Sequence, residues 1–209
     1  MAASTIENIY NDYRTASEYP PDYTFDFFSK NAFQFNNITT FKNESELKHY
    51  IQLIWQQLNA LYQKDRFNET AEIAIKHLKI IDNEIDKLNL LSIKDDWYYG
   101  ILLFKGMAFY RLRDYKSSTP IFKQLVAHDS KNDNYKKWLS YSLYGQRMWI
   151  SKTVTIVCAL MILIEIFFKK LIPSYLVRMS LDGIALLGLV ATMIYDYYIK
   201  RNFRKTKIG

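Results

Sequence analysis

The sequence is poor in residues that interrupt regular structure or cross-link a chain, since it has six glycines, four prolines and one cysteine. A single cysteine, Cys158, excludes an intrachain disulfide. The scarcity of glycine and proline argues for long regular elements and against a loop-rich all-β fold. The N-terminal region has neither a basic segment nor a long apolar run, so a secretory signal peptide is not expected. These absences fit a soluble part that stays in the cytosol.

The patterns that mark catalytic and metal sites are also lacking. The three histidines are far apart and have no metal-binding spacing: His49, His77 and His128. No G-x-S-x-G turn, phosphate-binding glycine loop or nucleotide fingerprint occurs. The acidic pairs Asp82/Asp86 and Asp95/Asp96 are better interpreted as a solvated helix face and a helix cap. We therefore expect neither an enzyme nor a site for a metal or a cofactor.

The net charge of +7 is unevenly distributed along the chain. Residues 1–148 carry 19 Lys/Arg and 18 Asp/Glu, whereas residues 149–209 carry nine Lys/Arg and three Asp/Glu. The basic surplus therefore belongs to the apolar C-terminal part, where it flanks hydrophobic segments as the positive-inside rule describes. Nucleic-acid binding, the usual inference from a basic pI, is not expected.

Two elements are predicted within residues 1–42, the first domain. Residues 3–17 predict a helix with an apolar stripe: Ile6, Ile9, Tyr10 and Tyr13. Residues 22–42 begin with aromatic residues that alternate with polar ones, which is typical of extended chain: Tyr23, Phe25 and Phe27. We interpret this stretch as an aromatic strap, and the alternative is a pseudo-ligand lying in a groove. The strap would pack on the domain through Phe28, Phe33, Phe35 and Phe41.

Residues 43–64 predict a capped helix. Asn43 can cap it, with Glu46 reaching back from three residues later, as in a capping box. Its apolar residues recur at spacings of three and four: Leu47, Ile51, Ile54, Leu58 and Leu61. The pattern breaks at Asp65, and a second helix is predicted from Phe67 to Leu91.

The stretch Leu102–Leu125 predicts a second pair of helices with similar spacing. Small residues at Gly106 and Ser118 would let the two helices approach closely, and Tyr115 and Phe122 would fill the seam. The two hairpins come into register when Asp65 and Arg113, 48 positions apart, are aligned. The alignment superimposes Leu58/Gly106, Leu61/Phe109, Tyr62/Tyr110, Thr70/Ser118 and Ala74/Phe122. The first and last of these pairs differ in size, so the first hairpin is a degenerate copy.

The order of residues in Leu102–Leu125 resembles one tetratricopeptide repeat (TPR): a small residue, an aromatic, a turn, Tyr, a small residue and Phe. The resemblance implies an all-α fold with about two and a half TPR-like helical hairpins over residues 43–148. The third hairpin has only its first helix, from Asn132-Asp133. Three hairpins are near the minimum for a stable solenoid, so the N-terminal helix, the strap or a second subunit is expected to complete the core.

The resemblance also implies a binding surface, because the first helices of TPR hairpins line a concave groove that holds a peptide or a partner helix. Carried over through the register, the groove residues are Trp55, Asn59, Tyr62, Leu103, Met107, Tyr110 and Arg111. Leu143 and Arg147 would follow from the third hairpin. Trp, Tyr, Met and Arg are enriched at interfaces. In an ordinary helical domain the same side chains would be partly exposed aromatics, and both interpretations stay open.

Residues 149–199 predict a two-helix transmembrane hairpin after the repeats, with spans at about 149–168 and 181–199. The flank shared by both termini carries nine basic residues, and the connecting loop carries three. The positive-inside rule then places both termini, the soluble domain and the basic tail (residues 200–209) in the cytosol. The Lys-, Asn- and Ile-rich composition indicates a low-GC genome, and we expect the membrane to be a bacterial inner membrane. The alternative is a core hairpin in a soluble protein.

Polar and small residues inside the predicted spans have two interpretations each. Glu165 and Asp182, near the loop-side ends, either mark an ion path or pair with basic residues at headgroup level. Three small residues offer a face for close packing, on the chain's own first span or on another protein: Gly183, Gly188 and Ala191.

We expect a membrane-anchored TPR-like adaptor or scaffold that binds a protein partner, as a peptide or a helix, through the concave face of its cytosolic domain. The alternative is a small structural subunit of a membrane transport, secretion or envelope complex, whose transmembrane hairpin makes the specific contacts. The expected partners are a protein and the lipid bilayer, and a homo-oligomer is an open alternative.

Overall fold

The computed structural model describes residues 5–16, 21–90, 93–94, 96–167 and 175–208. These residues form helices and no strand, which confirms the all-α class. The helices are α1 (Thr5–Ala16), α2 (Pro21–Asn36), α3 (Glu44–Gln63), α4 (Phe67–Leu88), α5 (Asp96–Arg111), α6 (Tyr115–His128), α7 (Asp133–Phe167) and α8 (Tyr175–Ile208). The chain divides into two compact units, Met1–Tyr135 and Lys136–Gly209. The boundary predicted after residue 148 from composition falls inside α7.

The helices of the first unit pack in chain order. Every extensive contact among its described residues joins helices one or two places apart: α1 with α2 and α3, α2 with α3, α3 with α4 and α5, α4 with α5, and α5 with α6. This order is that of three stacked hairpins, α1–α2, α3–α4 and α5–α6, each covering the apolar face of the next. The hairpin α1–α2 is an addition to those that the sequence predicted.

The predicted extended strap is wrong, because residues 21–36 form helix α2. Pro21 occupies the first helical position, where its fixed φ suits the helix and its missing N–H costs nothing. Phe28 and Phe35, seven residues apart, are 3% and 2% exposed, which is burial at helical spacing. They belong to a cluster whose neighbouring ring centroids are 5.4 to 5.6 Å apart: Tyr13, Phe27, Phe28 and Phe35. Phe33, predicted as an anchor, is 79% exposed.

Helix α3 is the central element of the first unit, since it packs on α1, α2, α4 and α5. The Asn43 side-chain oxygen accepts a hydrogen bond from the backbone N–H of Glu46 at 2.9 Å, which confirms the predicted cap. The Glu46 carboxylate accepts from the N–H of Lys42 at 2.9 Å, so the box closes one residue earlier than predicted. The apolar stripe is confirmed, with every member at most 4% exposed: Leu47, Ile51, Ile54, Leu58 and Leu61.

The turns of the hairpins α3–α4 and α5–α6 have the same backbone conformation. Asp65 and Arg113, the residues aligned in the sequence, both adopt left-handed φ angles, 56° and 63°. In each turn, the residue that directly follows the left-handed one donates its backbone N–H to the carbonyl that lies five positions before it in the chain, at 3.0 and 2.9 Å. This is the outer hydrogen bond of a Schellman ending. The two aligned turns therefore share their hydrogen bonding, and the end of α4 at Asn89 has the same left-handed φ and the same bond, from the N–H of Leu90 to the carbonyl of Ile85.

The close approach inside the hairpin α5–α6 pairs a large residue with a small one, and the aligned positions of α3–α4 hold a large and a small residue in the opposite order. In α5–α6, Phe122 is fully buried against Gly106, where an added Cβ would lie 2.8 Å from the ring. At the aligned positions of α3–α4, Leu58 and Ala74 are both fully buried. The large residue is on the second helix at one aligned pair and on the first helix at the other, and all four residues are buried.

The second unit contains two helices that run antiparallel where they touch. The Thr155 hydroxyl oxygen of α7 lies 3.5 Å from the Thr192 hydroxyl oxygen of α8. The Cys158 sulfur lies 2.6 Å from the place of a Cβ on Gly188. The helices are antiparallel because the later contact residue on α7, Cys158, meets the earlier contact residue on α8, Gly188. A Cβ on Gly183 would meet no described atom within 4 Å, so this predicted packing residue lies open.

Among the described residues, α7 is the one helix long and apolar enough to cross a membrane. An 18-residue window of it has a mean hydropathy of 1.7, and 12% of that window is buried. A helix that is apolar on all sides needs an apolar environment, and here protein covers little of it. Helix α8 also carries large apolar side chains at 59–73% exposure: Ile184, Leu186, Leu187, Met193 and Ile194. Asp182 is exposed, whereas the Glu165 side chain and residues 168–174 lie outside the described part of the chain.

The substitution Gly106→Val tests the close approach of α5 and α6. The added side chain meets the Phe122 ring and Ile121 Cγ2, which lies 3.2 Å from the Cβ position. We expect the free energy of unfolding to fall by about 1–3 kcal/mol, the usual cost of overpacking. Denaturant unfolding of the full chain in detergent measures it.

The matched double variant Gly106→Val/Phe122→Leu makes room for the added side chain, so part of the lost stability should return. An unfolding midpoint that Gly106→Val leaves unchanged would contradict the tight seam.

Candidate functional site

The predicted groove residues lie on two helices that pack on each other. Helix α3 carries Trp55, Asn59 and Tyr62, and helix α5 carries Leu103, Met107, Tyr110 and Arg111. We call this surface the α3–α5 face. Leu143 and Arg147, the predicted continuation from the third hairpin, belong to the second unit.

Trp55 lies in the seam between α3 and α5. Its ring stands edge-on to those of Trp97 and Phe104, with centroids 4.9 and 5.7 Å apart. Gly100 leaves the space that the indole occupies, because a Cβ added there would overlap the indole nitrogen. Trp55 is half-buried. It therefore fixes the spacing of the two helices and contributes only its outer edge to the surface.

Tyr62 and Arg111 form the polar centre of the α3–α5 face. Arg111 Nε donates to the Tyr62 hydroxyl at 3.2 Å, and the guanidinium carbon lies 5.6 Å from the Phe67 ring centroid. The Tyr62 ring packs on Phe67 and Phe104 at centroid distances of 5.2 and 5.7 Å. The hydrogen bond with Tyr62 raises the pKa of Arg111, which is exposed and charged at every working pH. An Arg held in this way suits a carboxylate or a backbone carbonyl of a partner.

The remaining predicted residues divide between the rim and the floor of the face. Asn59 is half-buried, and its side-chain oxygen accepts from Gln63 Nε2 at 3.2 Å. Tyr110 is half-buried against Tyr115, with ring centroids 5.6 Å apart. Met107 is 9% exposed, so it belongs to the floor. Leu103 is half-buried.

A cleft of about 250 Å³ opens between α1, α3 and α5. It is lined by Tyr10, Tyr13, Arg14, Gln52, Leu53, Gln56 and Trp97. Sequence reasoning missed the α1 side chains as surface residues because it could not place α1 against α3. Tyr10 stacks on His49 with ring centroids 3.9 Å apart, which fixes that placement. The sequence did contain a sign of this surface: Tyr10, Tyr13 and Arg14 are spaced i, i+3 and i+4, which places all three on one face of a helix.

Tyr50 and His77 form a buried polar pair between α3 and α4. His77 is 2% exposed, Tyr50 is fully buried, and the tyrosine hydroxyl and His77 Nδ1 form a hydrogen bond. Burial, with a smaller contribution from the charge of Lys76, lowers the pKa of His77 to about 4. Burial raises the pKa of Tyr50. Both groups are therefore neutral near neutral pH, and each satisfies the other in the core.

Asp82, whose side chain is 43% exposed on the predicted solvated face, also belongs to a polar link between α4 and α5. The Tyr98 hydroxyl donates to Asp82 Oδ1 at 2.8 Å, and Lys94 Nζ lies 3.4 Å from the same oxygen. Burial, followed by the hydrogen bond to Asp82, raises the pKa of Tyr98. Burial lowers the pKa of Lys105, and Asp82 opposes that shift. Asp95, the other predicted cap residue, lies outside the described residues.

Over the described ranges, no group of three or more His, Cys, Asp or Glu side chains is placed to hold a metal ion. Comparisons with protein-family models, with curated proteins and with solved structures find no match. The function is therefore inferred from the geometry and chemistry of the chain itself.

The buried His77 makes stability depend on pH in a defined window. As the pH falls, the unfolded chain takes up a proton near pH 6.5 that the folded chain excludes until about pH 4. The free energy of unfolding should therefore fall by about 3 kcal/mol across that window. Denaturant unfolding of the full chain in detergent at a series of pH values measures it.

The matched variant Tyr50→Phe/His77→Leu removes both polar partners and should lose this component of the pH dependence. A wild-type slope retained in the double variant would show that another group causes it.

Proposed function

We propose that the chain is a membrane-anchored, TPR-like adaptor that binds a protein partner and has no catalytic role. The first unit lies in the cytosol and engages a peptide or a helix through the α3–α5 face. Helices α7 and α8 supply two membrane spans, with both termini and the basic tail on the cytosolic side of a bacterial inner membrane.

The packing order of α1 to α6 is the observation that carries this proposal. Hairpins that contact only their neighbours in the chain are the arrangement of repeat solenoids. Three further features support a repeat: the shared turn geometry, the 48-residue offset and the Gly106/Phe122 seam. Solenoids of this kind present extended surfaces to their partners, and the first helices α3 and α5 share such a surface here.

The chemistry of the α3–α5 face supports protein binding. It combines the exposed Arg111, the half-buried Tyr62 and Tyr110, and the outer edge of Trp55. These are the residue types that dominate interface hot spots. Because the hydrogen bond between Tyr62 and Arg111 already restricts both side chains, they lose little conformational entropy when a partner binds.

The exposed apolar surface of the second unit supports the anchor. Of the apolar window in α7, 12% is buried, so the larger part needs a cover that a bilayer supplies. Trp149, Tyr197 and Tyr198 are 61–68% exposed near one end of the apolar segments, where aromatic residues mark the membrane interface. The basic residues flanking that same end support a cytosolic location for it.

A crosslinking pull-down from detergent-solubilised membranes tests the binding face. The variant Tyr110→Ala/Arg111→Ala removes two interface-type side chains from α5. We expect the recovery of one specific partner to fall by roughly 30-fold, the effect of a hot-spot loss of about 2 kcal/mol. The matched control Lys116→Ala/Lys123→Ala removes two exposed side chains of α6 and should recover the partner normally.

Both variants should keep the wild-type unfolding midpoint, since neither empties the core. A partner list that Tyr110→Ala/Arg111→Ala leaves unchanged would refute binding through the α3–α5 face.

A second candidate function is favoured by the open small residues of α8. Cys158 of the same chain packs against Gly188. A Cβ on Gly183 would have no described atom within 4 Å, and Ala191 is exposed. A helix of another protein could pack on that face, as in a structural subunit of a membrane complex. Replacing residues 149–199 by an unrelated hairpin separates the two functions. Retained function would exclude the subunit, and lost function with intact membrane insertion would exclude the adaptor.

A further inference from the structure

Seven basic residues and no acidic residue occur in two short segments, residues 147–152 and 200–208. The first segment lies on α7, where Arg147 and Lys152 are exposed. The second carries Lys200, Arg201, Arg204, Lys205 and Lys207. Helix α8 continues to Ile208, so the backbone of this second segment is helical. On a helix with 3.6 residues per turn, its five basic positions share one side.

The antiparallel contacts between α7 and α8 place both basic segments at the same end of the second unit. Thr155 touches Thr192, and Cys158 lies against Gly188. Moving from these contacts toward lower numbers on α7 and higher numbers on α8 leads to Lys152 and Lys200, respectively. The positive charge of two separate parts of the chain therefore converges.

Exposed aromatic residues accompany the basic ones at this end of both helices. Trp149 is 62% exposed on α7, and Tyr197 and Tyr198 are 68% and 61% exposed on α8. Such amphipathic rings prefer the depth of the lipid headgroups. On α8 the order is apolar, aromatic, basic, which matches the order of layers met on leaving a bilayer, and on α7 Trp149 lies between Lys152 and Arg147.

We propose that this basic end of the second unit binds the phosphate-bearing headgroups of anionic lipids. The proposal rests on the membrane anchoring proposed above, because a spanning hairpin holds the basic positions at headgroup depth. From Lys200 to Lys207 the helix rises about 11 Å, comparable with the screening length of about 8–10 Å at physiological salt. Several charges therefore act on the same surface, and each contributes about fivefold to lipid association.

Spin-labelled lipids in vesicles that contain the full-length protein provide the test. Labelled phosphatidylglycerol is compared with labelled phosphatidylcholine in the motionally restricted shell around the protein. We expect the wild type to prefer phosphatidylglycerol by at least roughly fivefold at low salt, since one charge alone contributes that factor. The preference should decline toward parity at high salt.

Three variants separate a local site from net charge. Changing Lys200, Arg201, Arg204, Lys205 and Lys207 to Gln removes five of the seven basic residues and should remove most of the preference. The matched control loses the same charge from exposed lysines of the first unit, Lys30, Lys79, Lys116, Lys123 and Lys131 to Gln, and should keep the preference. Lys200→Arg/Lys205→Arg/Lys207→Arg keeps the charge and should behave as the wild type, which distinguishes lost charge from a damaged helix.

A wild-type preference in the tail Gln variant would overturn the proposal, and so would an equal loss in the first-unit control. Binding of duplex DNA by the detergent-solubilised wild type without a lipid preference would overturn it in favour of a nucleic acid. Alkaline carbonate extraction distinguishes failure of the anchor from failure of this inference. A chain released by carbonate lacks the anchor, whereas a chain that resists release and shows no preference refutes the lipid site alone.

Discussion

Every apolar face of this chain has to be covered, and the two units meet that requirement in different ways. In the first unit, α3 buries its stripe against four neighbouring helices, and Leu47, Ile54 and Leu58 are fully buried. In the second unit, α7 is apolar over a span-length window that is 12% buried. At about 25 cal/mol per Å² of apolar surface, leaving such a helix in water would be strongly unfavourable. The fold of the first unit and the proposed anchor in the second follow from this one constraint.

Close packing then sets the details of the first unit. Gly106 admits the Phe122 ring and Gly100 admits the Trp55 indole, so two glycines fix how α5 lies against α6 and α3. The positions of Tyr62 and Arg111 depend on that arrangement, because their hydrogen bond crosses from α3 to α5. The proposed binding face is thus supported from beneath by the packing that stabilises the first unit.

Structural features that depend on neighbouring residues could be predicted from the sequence, whereas features that depend on how distant segments pack could not. The Asn43 cap and the stripe of α3 follow from residues within a few positions of each other, and both are confirmed. Helix α2 was missed because a short aromatic alternation outweighed Pro21 and the seven-residue spacing of Phe28 and Phe35.

The candidate site was readable in part for the same reason. The register placed its residues on α3 and α5, but the burial of Trp55 against Gly100 depends on how two distant segments pack. Tyr50 and His77 are 27 positions apart in the chain, so no local sequence pattern predicts their pairing.

The most direct test of this account is the environment of α7 in a bilayer. Spin labels are placed singly at positions 154–164 in a Cys158→Ser background, and their accessibility to oxygen and to a water-soluble nickel complex is measured. We predict high oxygen and low nickel accessibility on all sides, with both low where α7 meets α8 near Thr155. Nickel accessibility rising and falling with the helical period would show that one side of α7 faces water, which would contradict the anchor.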